Sequence, residues 1–519
     1  MRSLREHLDA PSLGEPPIDR RPEEAATEGC AGGSCGVLAN YWLEVDATGV
    51  ITNCTARVRG RAAAFATASA LCEAAVGRSV LDASRLGLTT LHPSFAELDA
   101  EDEERALVAE DGFHHVLGRW MLERMRAIEP GATGAARPTL PAAVPELDRV
   151  RAIVGMSGGV DSAVAIHRAA EQHDGRVVGA TLRLWIDPRA PDPDAACCSP
   201  DSVRRARSTC HAAGLPHLSI DLREEFARAV VVPFVAEYAM GGTPNPCVRC
   251  NGTFRLDELV RLADVVGAQE VVTGHYARIV ERAGVSLVAR GVDRTKDQSY
   301  MLASVEPATA ARLRFPLGEE HKTAIRGEAA ERGLEQATTP ESQEVCFLGG
   351  GDYRTFLERA GALGKPGNIV LDDAESTVVG SHQGIARFTP GQRKGLGVAA
   401  AAPLYVLDVD PASGNVTVGS GVGLEQRDIN LADVRWHAPD RPERVEVQLR
   451  YRSRGGTSTG TLVDDVDASQ ERTAVVRLDS EQRAPAPGQS AVFYGDDGVV
   501  LGIGRIVRTP ALVDTRSNH

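Results

Sequence analysis

No run of about eighteen apolar residues, the length a membrane-crossing helix requires, occurs anywhere in this 519-residue chain. The opening stretch MRSLREHLDAPSLGEPPIDRRPEEAATEG also lacks the apolar core of a secretory signal. These two absences predict a cytoplasmic protein with no membrane partner. An internal repeat and a long block of one charge are missing too, which excludes a solenoid and a basic tail. Cysteine is scarce, with ten residues at positions 30, 35, 54, 72, 197, 198, 210, 247, 250 and 346. In a reducing compartment such uneven clusters favour thiol or metal chemistry over a disulfide framework. Positive charge is in deficit, the formal net charge being -14, and phosphate binding wants a cationic footprint. More than half of that acidity lies in residues 1–150, so the balance does not exclude nucleic acid for the rest.

The length implies three or more domains, and 43% hydrophobic with 25% charged residues is globular composition. Residues 1–28 are polar and aperiodic and are expected to be disordered. Residues 36–59 alternate as a hairpin around Asp46–Gly49, and Ala-rich helical segments follow at 62–76 and 104–128, giving an α+β domain at 29–128. The stretch 129–148 reads as a Pro/Ala/Gly linker. From 149 to 364, short apolar runs at 149–156, 176–185, 215–222 and 269–277 alternate with helical stretches. That pattern predicts an α/β domain with a parallel sheet. Val-rich strands with Gly and Asp turns then predict a small β domain at 365–435, a C-terminal β-barrel at 436–510 and a tail at 511–519.

The first strand of the α/β region runs into Gly155, Met156, Ser157, Gly158, Gly159, Val160, Asp161 and Ser162, where a helix begins. Adjacent glycines admit close backbone approach, and the two serines with the helix N-terminus offer donors to an anion such as pyrophosphate. No lysine of the Walker type follows. The stretch SGGVDS resembles the PP-loop of the ATP pyrophosphatase superfamily, whose members split ATP between the α and β phosphates to adenylate a carbonyl oxygen. This defines a half-reaction and leaves the product open.

In TPNPCVRCN (243–251), Pro244 and Pro246 hold Cys247 and Cys250 in a loop. Cys346 follows in ESQEVCFLGG. A zinc site would want a fourth Cys or His, for which Cys197 and Cys198 are the candidates. The segments GMSGGVDSAVA, TPNPCVRCN, TGHYAR, KDQSYML, ESQEVCF, GQRKGLG and PGQSAVFY stand in an order and spacing that resemble the tRNA-specific 2-thiouridylases (the MnmA family) over 150–508. The resemblance implies a PP-loop α/β domain with a tRNA-binding helical region and β-barrels. It also implies ATP-dependent 2-thiolation of the wobble uridine of tRNA, with Mg²⁺ and with tRNAs read as Lys, Glu or Gln. By the same resemblance Gly155 to Ser162, Leu182 and Gly274 bind ATP, and Cys250 and Cys346 are catalytic. Asn245, Pro246 and Cys247 line the target-base pocket, and His275, Lys296, Asp297, Gln298, Arg450, Tyr451 and Gln489 contact tRNA. Many members carry Asp where this chain has Cys247. Three thiolates, Cys247, Cys250 and Cys346, suit a [4Fe-4S] cluster with one open iron holding a hydrosulfide, and the third cysteine favours that scheme over a persulfide at Cys250 and Cys346. The sulfur donor is expected to be a cysteine desulfurase or a relay protein.

Residues 30–128 more faintly resemble iron-sulfur scaffold proteins of the IscU/NifU type. Cys35 takes the first ligand position, while Arg61 and Arg105 stand at the second and third and Val37 replaces an Asp. Cys30, Cys54 or Cys72 would have to compensate, Cys35 would act alone as a sulfur relay, or the domain at 29–128 would be a degenerate IscU/NifU-like module kept for docking or packing. Two alternatives to the thiolase are therefore carried forward: a PP-loop ligase that forms amides, which needs no Cys250 or Cys346, and an iron-sulfur or sulfur carrier, which needs no SGGVDS.

Overall fold

Ser3 starts a short helix that the composition does not suggest. The computed structural model describes residues 1–14, 27–33, 35–128, 150–187, 199–338, 345–348, 351–451, 457–463, 473–483 and 485–508. The expected linker 129–148, Cys197, Cys198 and the tail 511–519 lie outside the described residues. The helix α1 (Leu4–Asp9) is closed by a capping box in which Ser3 accepts from the Glu6 amide and the Glu6 carboxylate accepts from the Ser3 amide at 2.7 Å. Its His7 is buried against Ser69. The expectation of disorder across 1–28 is thus corrected at both ends, because Thr27 already opens a strand.

That strand, β1 (Thr27–Gly32), pairs with β2 (Leu38–Val45), which pairs with β3 (Ile51–Arg59) in an antiparallel sheet. Ala39, Tyr41 and Leu43 alternate onto its covered face. The helices α2 (Ala62–Ala75), α3 (Val80–Ala83) and the long α4 (Ala100–Ala127) complete the domain. The Asp99 cap, acids in the first turn and arginines in the last turn of α4 all agree with its dipole.

The second domain runs through β4 (Ala152–Gly155), α5 (Val160–Gln172), β5 (Val177–Arg183), α6 (Pro200–Ala212), β6 (His217–Asp221), α7 (Arg223–Phe226), α8 (Val232–Ala239), α9 (Pro246–Cys250), α10 (Leu256–Val265) and β7 (Glu270–Thr273). A hairpin of β8 (Ala277–Arg282) and β9 (Val285–Arg290), then α11 (Pro307–Ala310), β10 (Leu313–Arg314), α12 (Lys322–Glu331) and α13 (Tyr353–Arg359) follow. Its five strands lie in the order β10-β7-β4-β5-β6, with every pairing parallel. The central strand β4, buried from Ala152 to Val154, therefore has β5 on one side and β7 on the other, and the crevice at such a switch point is where ligands of open α/β sheets bind.

The expected β modules follow. The strands β11 (Gly367–Leu371), β12 (Val378–His382), β13 (Tyr405–Val409) and β14 (Val416–Gly419) form a four-stranded sheet. The strands β15 (Glu425–Trp436), β16 (Arg444–Gln448), β17 (Ser458–Val463), β18 (Ala474–Arg483), β19 (Ser490–Tyr494) and β20 (Val500–Ile506) close into a barrel. Because β15 begins at Glu425, it crosses the boundary expected at 435/436, and the barrel starts about ten residues earlier. Its first four residues are exposed, and strand-like alternation begins only at Ile429.

The N-terminal domain docks through α4 on β6, the edge strand of the parallel sheet. A Cβ on Gly118 would stand 1.8 Å from the Ser219 carbonyl oxygen, so the helix lies directly on that strand. Beside it, Arg207 of α6 forms ion pairs with Glu110 at 2.6 Å and Asp111 at 2.8 Å. The Arg207 and Glu110 side chains are 3% and 6% exposed.

Candidate active site

The phosphate loop is shaped by contacts inside the protein. Gly158 has φ +75, and a Cβ there would lie 2.4 Å from the Ser202 carbonyl oxygen of α6, so only glycine fits. Ser162 is buried and holds the turn: its hydroxyl accepts from the Ser157 amide at 3.2 Å and donates to the Gly159 carbonyl at 2.9 Å. Ser157 is exposed at the mouth. Met156, Val160 and Leu182 are buried, with Leu182 on β5 beside β4. At the end of β7, Gly274 meets the first turn of α5, where a Cβ would come within 2.8 Å of the Asp161 carbonyl group. The glycine is what lets β7 and the loop share one crevice.

Asp161 occupies the first turn of α5 and does not stand alone. Both of its carboxylate oxygens accept from the Lys322 ammonium at 2.7 Å, and Oδ1 also accepts from the Tyr276 hydroxyl at 2.8 Å. Lys322 begins α12, its side chain only 8% exposed. Motif reading missed both partners. One signal for Lys322 was present, since only four of the 57 Lys and Arg residues are lysines. A lysine kept in such an arginine-rich chain marks a place for a compact ammonium that a planar guanidinium would not fill.

The cysteine loop lies on a helical path running from α9 through a π-helical turn (Asn251–Arg255) into α10. Asn245 caps it, its Oδ1 accepting from the amides of Cys247 at 3.1 Å and Val248 at 3.3 Å. Pro246 sits at the first helical position, where its missing N–H costs nothing. Farther along, Leu259 packs on Gly155 at the foot of the phosphate loop. Leu259 lies nine positions after Cys250, about 14 Å at helical rise. Cys250 is buried, whereas Cys247 and Cys346 are half-buried. Phe226 packs edge-on against both Phe254, four residues after Cys250, and Phe347, next to Cys346. The two catalytic candidates thus belong to segments anchored in one aromatic cluster.

Among the described residues, no group of three or more His, Cys, Asp or Glu side chains is arranged to hold a metal ion. All three cysteines expected to share a [4Fe-4S] cluster are described, so this conformation does not offer that site: Cys250 is buried in the core, Cys346 packs half-buried against it, and Cys247 is half-buried. In the N-terminal domain, Arg105 is buried in ion pairs with Glu101 and Asp102, and Arg61 is the exposed cap residue of α2. Cys54 and Cys72 are buried with their sulfurs 3.4 Å apart.

The residues expected to face tRNA divide. Lys296 is half-buried on a loop, and Arg450 and Tyr451 are half-buried after β16. Burial first, and then the Arg483 charge, lowers the Arg450 pKa from its ordinary value. His275 accepts from or donates to Thr273 at 2.7 Å and lies edge-on to Phe315. Burial, with help from Arg255, pushes its pKa down to about 3, so at neutral pH it carries no charge for a phosphate. Asp297 and Gln298 serve the fold: Asp297 accepts from the Gly291 and Ser299 amides, and Gln298 accepts from the Tyr276 amide at 2.8 Å. Gln489 donates to the Thr243 carbonyl at 2.6 Å.

A parallel α/β sheet with a glycine-rich phosphate loop at its switch point, a cysteine-bearing helix on that loop and two β modules behind it define a nucleotide-binding enzyme of the PP-loop class. Residues 150–350 match the tRNA methyl transferase HUP domain, residues 354–420 the tRNA methyl transferase PRC-barrel domain and residues 426–506 the aminomethyltransferase beta-barrel domain. The chain is similar to the tRNA-specific 2-thiouridylase MnmA of Sorangium cellulosum, 42% identical over 358 residues, covering 69% of this chain and 92% of that protein. The same-named protein of Acidithiobacillus ferrooxidans is 39% identical over 355 residues, covering 68% and 97%. The bifunctional protein NifU/MnmA of Rubrobacter xylanophilus is 38% identical over 486 residues and extends the similarity to 92% of this chain and 93% of that one. The chain belongs to the tRNA-specific 2-thiouridylase (MnmA) family.

Proposed function

We propose that this protein is a tRNA-uridine 2-sulfurtransferase that uses ATP to replace the C2 oxygen of the wobble uridine by sulfur. The observation that carries the reading is the helical path from Pro246 to Val265, which joins a two-cysteine turn to the foot of a pyrophosphate loop. An amide-forming ligase has no use for those thiols. A sulfur carrier has no use for the loop.

In this reading the uridine C2 oxygen attacks the α phosphorus of ATP and pyrophosphate leaves. Loop amides from Ser157 to Ser162 receive the phosphates, Leu182 lies beneath the adenine, and Gly274 keeps the crevice open. Asn245 and Pro246 shape the pocket for the base. The outer sulfur of a persulfide on Cys346 attacks C2 and expels AMP, leaving the base joined to Cys346 through an S–S bond. The Cys250 thiolate then attacks the Cys346 sulfur, that S–S bond breaks to release 2-thiouridine, and the Cys250–Cys346 disulfide that remains is reduced by an external thiol. Among the described residues the three cysteines are not grouped to hold a metal ion, so the sulfur travels as a persulfide rather than on an iron-sulfur cluster. Mg²⁺ would arrive with the nucleotide and neutralise phosphate charge. A cysteine desulfurase or relay protein supplies the sulfur in the cytoplasm, and the substrates are tRNAs for Lys, Glu and Gln. Among the described residues, no helix is long and apolar enough to cross a membrane. Mass analysis of tRNA nucleosides from a host lacking its own thiolase tests the proposal. Appearance of 2-thiouridine on expression of this chain is expected, and its absence with soluble, folded protein refutes it.

A further inference from the structure

The segment PGQSAVFY is a landmark of the sequence with no part in the chemistry above, and its first three residues touch the cysteine loop. Thr243, two residues before the α9 cap, is gripped at both backbone polar groups by the C-terminal barrel. Its amide donates to the Pro487 carbonyl at 2.7 Å, and its carbonyl accepts from Gln489 Nε2 at 2.6 Å. Between them Gly488, at φ +94, lies so close that a Cβ would meet the Thr243 amide nitrogen at 3.0 Å and Glu237 Oε1 at 2.5 Å. The turn is itself fixed, since the Gly488 amide donates to Ile506 and the Ile506 amide to Gln489. Next along the chain, the Ser490 carbonyl accepts from the Tyr300 hydroxyl at 2.9 Å.

From this geometry we infer that Gln489 is a positioning residue: with Pro487 and Gly488 it clamps Thr243, and through Asn245 sets where α9 begins and where Cys247 and Cys250 stand. The inference rests on the thiolase reading and deepens it, making the C-terminal barrel part of the sulfur-transfer site. A surface contact to tRNA would not require the half-buried Gln489 amide to be spent on a backbone carbonyl 246 residues away in sequence. Both polar groups of one residue held by a rigid turn fix a loop as a short sheet pairing would.

The test compares Gln489→Ala and the isosteric Gln489→Glu, which cannot donate at neutral pH, with the unaltered protein. Three readouts are taken: tRNA affinity, thiolation turnover, and the alkylation rates of Cys247 and Cys250 by iodoacetamide in tRNA-free protein, resolved by peptide mass. The expected result is tRNA affinity within about twofold, turnover reduced about 10- to 100-fold, as small misplacements of reacting groups do, and alkylation rates changed several-fold. Weakened tRNA binding with turnover and alkylation unchanged would make Gln489 a tRNA contact and overturn the inference, as would no change in any readout. If the unaltered protein does not thiolate tRNA, the alkylation rates alone decide the clamp.

Discussion

Removing the Lys322 ammonium should cost stability and ATP activation together, and the two losses can be separated. Both Asp161 oxygens lie 2.7 Å from Nζ, with the Lys322 side chain 8% and the Asp161 side chain 32% exposed. At an effective dielectric constant near 20, the gross attraction is about 6 kcal/mol. Desolvation offsets most of it, and partial exposure of Asp161 adds screening, leaving about 1–3 kcal/mol of net coupling. A double-mutant cycle of Lys322→Met and Asp161→Asn, followed by urea unfolding without nucleotide, should return that coupling. Each single variant should release little AMP from ATP in the presence of tRNA. The reason is that an arriving polyphosphate brings anions to a helix N-terminus beside Asp161, so the carboxylate needs a cation at hand. Lys322→Arg should rescue poorly, since the guanidinium is too wide for a pocket closed by Asp161 and Tyr276. A coupling below about 0.5 kcal/mol, or full AMP release by Lys322→Met, would refute this account of the pair.

Three further outcomes are expected. Cys247→Ala should remain active in iron-free protein, as judged by 2-thiouridine formation and metal analysis, whereas about four irons per chain lost together with activity in that variant would restore the cluster scheme. Replacing Lys296 or Arg450 by Ala should weaken tRNA binding and make the slope of log affinity against log salt shallower by about one charge each; an unchanged slope would remove them from the tRNA face. Acid should loosen the domain junction, because burial, and then Arg207, holds the pKa values of His114 and His217 well below the ordinary 6.5. The unfolded chain takes up those protons at about pH 6.5, so the stability is whole above that pH and is lost as pH falls below it. Each histidine should cost about 1.5 kcal/mol between pH 6.5 and 5, measurable by urea unfolding at the two pH values, and His217→Gln should flatten the trend.

What was legible in the sequence was local. SGGVDS could be placed because a buried strand, two glycines and a helix start fall within a dozen residues, and the strand-helix alternation after 149 gave the parallel sheet. The Lys322–Asp161 pair spans 161 residues and the Gln489–Thr243 bond 246, so no periodicity joins either couple. Three cysteines stand out in the sequence, but how they sit relative to one another depends on how Phe226 gathers two distant segments, and that is tertiary. The helix at Leu4–Asp9 was hidden because six residues carry too little pattern, although Ser3 and Glu6 form a readable capping box.

The packing of the N-terminal domain can be accounted for without any cluster ligand. The faces of α4 are used separately. Glu110, Asp111, His114 and Gly118 meet the α/β domain, while Gly112 packs on Tyr41 of its own sheet and Val108 borders the turn that carries Cys35. Docking on β6 therefore draws nothing from the positions where cluster ligands would stand, and Arg105 can spend its charge on Glu101 and Asp102 within its own helix. An edge strand left bare presents unpaired backbone groups and invites association, whereas a helix seated as closely as Gly118 permits covers it. The packing alone thus gives the domain a structural reason to stay, independent of any sulfur that Cys35 carries. A Cys35→Ser variant should accordingly keep the junction and its stability even if it were to slow sulfur delivery, while Gly118→Val, which forces α4 off the Ser219 carbonyl, should disturb the junction and leave the Cys35 thiol as reactive as before.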